Sequence, residues 1–238
     1  MSLPLTGERT VPDVPHENYW FRRHEVAYRE SALHIGAHCK GGPAVLDAGA
    51  GEGYGAALVR KHAQGTVTLL DYDETAIRHA ALRYGLQAAR GNLVAMPFAD
   101  AAFDAVISMQ TIEHLWDQEA FIAECARTLR PGGTLLVTTP NRLTFPPGNP
   151  FHTRELDATE LAELIATGPL RIEQQRGVHH GPRLAVNPTL IEDQLAAEPT
   201  VWPADLAALV ASATADDFVI TDVDIATSLD LYFTAVRT

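Results

Sequence analysis

Residues 45–55 read VLDAGAGEGYG, an apolar run that ends in an acid and is followed by glycines at every second position. Val45 and Leu46 read as the end of a buried parallel strand, with Asp47 where that strand stops. Gly49, Gly51 and Gly53 let the backbone turn tightly and approach a bound ligand closely. Residues 56–61 then begin a helix. Strand, glycine turn and helix near the start of a domain is the layout of a nucleotide-type cofactor site at the switch point of an open parallel sheet.

The glycine spacing narrows the ligand. A dinucleotide fingerprint needs G-x-G-x-x-G, but Gly53 comes one residue early and Tyr54 stands in the third position. The turn also carries two carboxylates, Asp47 and Glu52, which suit a pyrophosphate poorly. They suit a cofactor with cationic groups, such as the ammonium and sulfonium of S-adenosylmethionine. Here the chain resembles the class I S-adenosylmethionine-dependent methyltransferases, whose first motif is D-x-G-x-G-x-G. Asp47, Gly49, Gly51 and Gly53 match it position by position, and Ala50 lies within it.

Further landmarks follow in order. Residues 67–70 are the next apolar run and end in Asp71, about 20 residues past the glycine turn, where an acid binds both ribose hydroxyls. Tyr72 follows, where a ring would lie beside adenine, and Asp73 reads as the cap of a helix over 74–84. Residues 91–115, GNLVAMPFADAAFDAVISMQTIEHL, match the family's L-P-F and F-D pattern through Met96-Pro97-Phe98 and Phe103-Asp104, before a strand over 105–109. The family's usual adenine-contacting acid is Asn92 here, whose carbonyl still accepts a hydrogen bond; Leu93 is beside it. Pro131-Gly132-Gly133 reads as a turn before a strand over 134–139. The resemblance spans roughly residues 40–165.

The resemblance implies a Rossmann-like α/β fold: a seven-stranded, mostly parallel sheet with an antiparallel last strand, helices on both faces and a small helical cap or insertion. The whole chain, 1–238, reads as a single methyltransferase domain: an N-terminal cap region over 1–40, a cofactor-binding core over 41–180, an insertion over 181–217 with a helix at 203–213, and a final strand region over 218–238. Residues 230–236 alternate like an edge strand.

Composition excludes several classes. The chain has 238 residues, 46% of them hydrophobic, and a formal net charge of −12. So acidic a protein is a poor partner for phosphate backbones, and Arg22, Arg23 and Arg29 form its one near-cluster of basic residues. No run has the length of a membrane helix, and the N-terminus lacks the apolar core of a signal peptide. Two cysteines, Cys39 and Cys125, make no disulfide framework, and Cys125 shares a helical stripe with Phe121, Ile122 and Leu129. A cytoplasmic enzyme is expected.

Acceptor choice is expected outside the cofactor core. In the segment 5–29, Tyr19, Trp20, Phe21, His24 and Tyr28 gather on about two helical turns. They form either a packing face on the sheet or a helix closing over the cofactor's methionine end, with Tyr19 or Arg23 meeting its carboxylate. Residues 139–156, TPNRLTFPPGNPFHTREL, form a stiff loop at the ligand-binding edge. The insertion reads as a lid or a contact of a homodimer. GVHHGPR, with His179, His180 and Arg183, lines an acceptor pocket or is a surface turn.

The resemblance implies methyl transfer, which depends chiefly on aligning acceptor, methyl and sulfur. A hydroxyl acceptor also needs a base. His114, in IEHL just past the strand over 105–109, is the expected base, with Glu113 and His152 as rivals. IEHL also resembles the L-E-H-V of ubiquinone-type O-methyltransferases, some of which carry a further acid where Gln110 stands, and with which a divalent metal has been associated. Glu113, His114 and His152 fit no established metal motif by spacing, so no metal is expected, although Mg2+ is compatible. Gln110 joins the cofactor set by position. YWFRRH, NPFHTRE and HHGPR resemble a subgroup of bacterial methyltransferases proposed to act on glycans. The expected function is O-methylation of a small-molecule or saccharide hydroxyl. N- or C-methylation, or a cofactor-binding module without activity, remain the alternatives.

Overall fold

The computed structural model describes residues 3, 9–39 and 41–238. Residues 5–8 of the N-terminal segment, and Lys40 at the expected cap boundary, lie outside the described residues. Helix α1 (Asn18–His38) leads into β1 (Ala44–Ala48), α2 (Tyr54–Ala63), β2 (Thr66–Asp71), α3 (Glu74–Tyr84), β3 (Gln87–Arg90), β4 (Phe103–Met109), α4 (Gln118–Thr128) and β5 (Leu129–Pro140). Then come α5 (Ala158–Ile165), β6 (Leu170–His180), α6 (Leu190–Leu195), α7 (Ala204–Ala211), β7 (Phe218–Thr221) and β8 (Asp230–Arg237).

The eight strands among the described residues form one sheet in the order β3-β2-β1-β4-β5-β8-β6-β7. Strands β3, β2, β1, β4 and β5 pair in parallel, β8 is antiparallel to both β5 and β6, and β7 is antiparallel to β6. This is a Rossmann-like α/β fold. One strand more than expected is present because β7 adds an edge beyond β6. The last strand is not an edge: β8 threads between β5 and β6, and its residues Asp230–Ala235 are all buried. Helices cover both faces, one over the core of Leu46, Val106, Phe121, Ile122, Cys125 and Phe233, the other over Val45, Ile107, Ala56, Val59 and Tyr232.

Local chemistry sets the element ends. Asp73 caps α3 by accepting from the Thr75 N–H at 2.7 Å, and Asp117 caps α4 by accepting from the Ala120 N–H at 2.9 Å. Strand β5 takes in the expected Pro-Gly-Gly turn as an exposed stretch, with Gly132 at φ +78 and irregular pairing to β4 opposite it. Within residues 181–217, α6 and α7 bring Leu190, Ile191, Leu206 and Val210 against Tyr19, Val178 and Phe218, so this segment packs on α1 and β6.

Candidate active site

The glycine turn follows β1 at the carboxyl edge of the sheet. Gly49 has φ +90, and a Cβ there would stand 2.3 Å from Thr111 Oγ1, so the turn and the chain after β4 touch without room for a side chain. Gly53 has φ +92 and presses against Ala80, where a Cβ would lie at 2.5 Å. The Asp71 carboxylate closes the turn: Oδ2 accepts from the Gly51 N–H at 2.8 Å and Oδ1 from the Asp73 N–H at 2.9 Å.

A cavity of about 310 Å³ opens above this turn. Of the expected cofactor residues, Gly49, Ala50, Gly51, Asp71, Tyr72, Leu93 and Gln110 line it. Asp47 and Gly53 stand behind it. Asp47 is fully buried, and the Tyr28 hydroxyl donates to both its oxygens at 3.4 Å; burial pushes its carboxyl up to about 8. The Asn92 carbonyl oxygen accepts from the Val94 N–H at 3.1 Å, so it serves a turn and is not on the cavity wall. Tyr19 is on neither cavity wall and bonds His180 Nε2 at 2.6 Å. Arg23 borders a second cavity instead of the first, with its charge committed to Asp230. The near-cluster of arginines is likewise paired, Arg22 with Glu25 and Arg29 with Glu25 and Asp216.

The second cavity, of about 240 Å³, adjoins the first: Arg9, Thr10, His24, Gln110 and His114 line both. Glu113 and His152 face it, with Trp20, Phe145, Asn149 and Pro140. Gln110 sits between the two cavities in the left-handed region, φ +53, held by its N–H to the Thr138 carbonyl at 3.1 Å and by its Nε2 to Thr138 Oγ1 at 3.3 Å. Such a backbone costs on the order of 1 kcal/mol or more for a non-glycine residue.

Glu113, His114 and His152 come together in space, with ligand-type atoms all within 4.8 Å of one another. His114 Nδ1 lies 2.9 Å from the Phe151 carbonyl, which can only accept. The neutral ring therefore carries its proton on Nδ1 and its basic lone pair on Nε2, 4.0 Å from Glu113 Oε1. Glu113 is 1% exposed and accepts from Thr139 Oγ1 at 3.0 Å; burial pushes its carboxyl up to about 8, so it holds a proton at neutral pH. His152 is oriented by Glu155 at 2.6 Å and by the Asn149 amide at 3.1 Å. The loop after β5 is tied to the same turn, since the Thr153 and Arg154 N–H groups donate to the Glu113 carbonyl.

Sequence reading missed several wall residues. Arg9 bonds Asp73 at 2.6 Å and Thr10 approaches the Tyr54 hydroxyl at 3.1 Å, bringing the N-terminal segment over the turn; no local pattern marks either residue. Burial pushes His24 down to about 3, with Arg23 and His114 adding to the effect. GVHHGPR lines neither cavity: His179 and His180 lie on β6 paired with β7, and Arg183 bonds Asp217 at 2.7 Å. Among the described residues, no helix is long and apolar enough to cross a membrane.

The wall of the first cavity fits S-adenosylmethionine. Its acids are Glu52, Asp71 and Asp73, its one arginine is already paired with Asp73, and no described lysine lines it. That set favours a cation over a phosphate.

Comparison with known proteins agrees. Residues 46–137 match the family model described as "Methyltransferase domain". The chain is 48% identical over 252 residues to "Probable S-adenosylmethionine-dependent methyltransferase" of Mycolicibacterium smegmatis, covering 99% of this chain and 96% of that protein. It is 33% identical over 143 residues to a fatty-acid O-methyltransferase of the same organism, covering 58% of this chain and 47% of that protein. A solved structure of geranyl diphosphate C-methyltransferase from Streptomyces coelicolor A3(2), bound to Mg2+, geranyl diphosphate and S-adenosyl-L-homocysteine, shares the fold with TM-score 0.59 at 15% identity, over 88% of this chain and 80% of that one.

Proposed function

Because the chain belongs to the class I S-adenosylmethionine-dependent methyltransferases, we propose that it transfers the cofactor's methyl group to a hydroxyl oxygen of a small molecule or sugar, with His114 as the general base. Bound in the first cavity, S-adenosylmethionine supplies a methyl activated on a sulfonium. Asp71 receives the ribose hydroxyls, and Tyr72, 74% exposed on the rim, offers a ring for the adenine. Gln110, at the boundary of the two cavities, orients the groups that meet there. His114 takes the acceptor's proton at Nε2, while its Nδ1–H stays on the Phe151 carbonyl.

The observation that carries this reading is that His114 lies on the walls of both cavities, where acceptor and methyl would meet. A carboxylate acceptor would already be a nucleophile, so a base at this position favours a hydroxyl. The test is release of S-adenosylhomocysteine with a panel of hydroxylated acceptors, by the parent and by His114→Ala. A second reading rests on the 4.8 Å grouping of Glu113, His114 and His152: a divalent ion held there would activate the acceptor hydroxyl instead. Two imidazoles and one carboxylate suit a transition metal better than Mg2+. Turnover abolished by a chelator and restored by Mn2+ or Zn2+ would select that reading.

A further inference from the structure

The start of α1 sends a stripe of side chains to the second cavity: Glu17, just ahead of the helix, then Trp20 and His24, spaced three and four residues apart. Glu17 holds the N-cap position, where a side-chain oxygen commonly accepts from the backbone N–H groups of the first turn, but it makes no such bond. Among the described residues, no hydrogen bond or ion pair reaches its carboxylate. The side chain is half-buried, and burial raises its carboxyl above the ordinary range, with the neighbouring His16 opposing the shift. An acid partly withdrawn from water on a cavity wall, without a backbone or cationic partner, calls for a ligand that donates to it.

The rest of the wall supplies no charge to answer it. Arg9 is paired with Asp73 at 2.6 Å and Arg23 with Asp230 at 2.5 Å. Burial holds His24 uncharged, down to about 3, and keeps a proton on Glu113, pushed up to about 8. His152 bonds Glu155 at 2.6 Å, so any charge on its ring is matched. Glu17 therefore leaves the described wall with a net negative charge. An acceptor carboxylate would lose its water here and meet a like charge, whereas an ammonium would exchange water for an opposite one. Beside Glu17 the rings of Trp20 and Phe145, centred 6.5 Å apart edge to face, give the apolar part of an acceptor a surface to lie on. At about 1.5 Å of rise per residue, Glu17 stands about 10 Å along the helix from His24, which borders both cavities. The group that meets Glu17 is thus at the far end of the acceptor from the reacting hydroxyl.

We propose that Glu17 determines acceptor specificity by charge: its carboxylate receives a hydrogen-bond donor at the end of the acceptor away from the reacting hydroxyl, an ammonium most strongly, and turns away acceptors that carry a carboxylate there. This rests on the second cavity being the acceptor site of methyl transfer.

The experiment uses the full chain saturated with S-adenosylhomocysteine and three probes that differ in one substituent: trans-4-aminocyclohexanol, trans-1,4-cyclohexanediol and trans-4-hydroxycyclohexanecarboxylate. Each is titrated in mildly alkaline buffer by saturation-transfer difference NMR, with calorimetry of S-adenosylhomocysteine and a melting curve for each variant. The parent is expected to bind the amine best and the carboxylate worst, with about tenfold or more between those two. Glu17→Gln, which keeps the size of the side chain and removes its charge, levels that ratio to within threefold and leaves S-adenosylhomocysteine within threefold of the parent. Glu17→Lys inverts the ratio in favour of the carboxylate. A parent that binds the carboxylate as tightly as the amine overturns the proposal, as does a folded Glu17→Gln that keeps the parental ratio. Binding of none of the three probes overturns it too, since the cavity would then take no hydroxylated ring of any charge. Failure of S-adenosylhomocysteine to bind the parent would instead sink the methyl-transfer reading beneath it.

Discussion

Replacing Asp71 by alanine removes two supports of the cofactor site at once. In the structure its two oxygens accept from the Gly51 and Asp73 N–H groups, at 2.8 and 2.9 Å. Hydrogen bonds to a charged group contribute about 1.5–3 kcal/mol each in good geometry, and Asp71 is half-buried, which places these near the lower end. The sheet register of β2 does not depend on them, so the fold should lose about 3 kcal/mol for the two together and no more. On the proposed role of Asp71, cofactor binding weakens as well, because the Gly51 turn loosens and the charged acceptor proposed for the ribose hydroxyls disappears. A loss of about 1–3 kcal/mol in binding corresponds to a roughly 5- to 150-fold rise in Kd. Asp71→Asn should fall between parent and alanine, since its amide keeps one acceptor but turns an NH2 toward one of the two N–H donors. Calorimetry with S-adenosylhomocysteine, alongside a melting curve, separates the two effects. Parental affinity in a folded Asp71→Ala would show that Asp71 holds the turn and does not touch the cofactor.

Other perturbations bear on the same framework. Gly49→Ala places a Cβ 2.3 Å from Thr111 Oγ1 at φ +90 and should destabilise the protein by about 2–4 kcal/mol in urea unfolding, partly recovered by Thr111→Ala; an unchanged midpoint would contradict the close approach. Asp47 titrates near 3.8 when unfolded and near 8 when buried, so its contribution is fully present below about pH 4 and is lost as pH rises to about 8. The stability advantage of Asp47→Asn over the parent should therefore widen between pH 5 and pH 8, and a constant gap would refute the burial argument. In the loop after β5, which brings Phe145, Asn149 and His152 to the second cavity, amide exchange should slow when cofactor and acceptor are both bound; unchanged exchange during brisk turnover would make the loop only a connector.

What could be read from sequence was local. The glycine turn, Asp71 at the end of β2 and the cap Asp73 depend on residues a few positions apart or on one strand–turn–helix unit, and each falls where its spacing places it. What escaped reading was built by distant partners. Arg23 and Asp230 are 207 residues apart, and their pairing moves Arg23 from an expected cofactor contact to the wall of the other cavity. Tyr19 left the site for His180, 161 residues away. His114 meets its carbonyl partner 37 residues on, and the grouping with His152 depends on a loop with no periodicity. Strand β8 suggested an edge by alternation, but insertion between β5 and β6 buries both of its faces, so that Thr234 and Asp230 are hidden along with Leu231 and Phe233.

The central claim is that His114 serves the acceptor and not the cofactor. The most direct measurement pairs two numbers for His114→Ala: its Kd for S-adenosylmethionine by calorimetry, and its kcat for transfer of a labelled methyl group to a hydroxyl acceptor that the parent turns over. The account predicts a Kd within about threefold of the parent and a kcat lower by about 10²–10⁴-fold, the usual contribution of a general base. Near-parental kcat in a variant that still binds cofactor would contradict it, and would leave His114 as a structural histidine holding the Phe151 carbonyl.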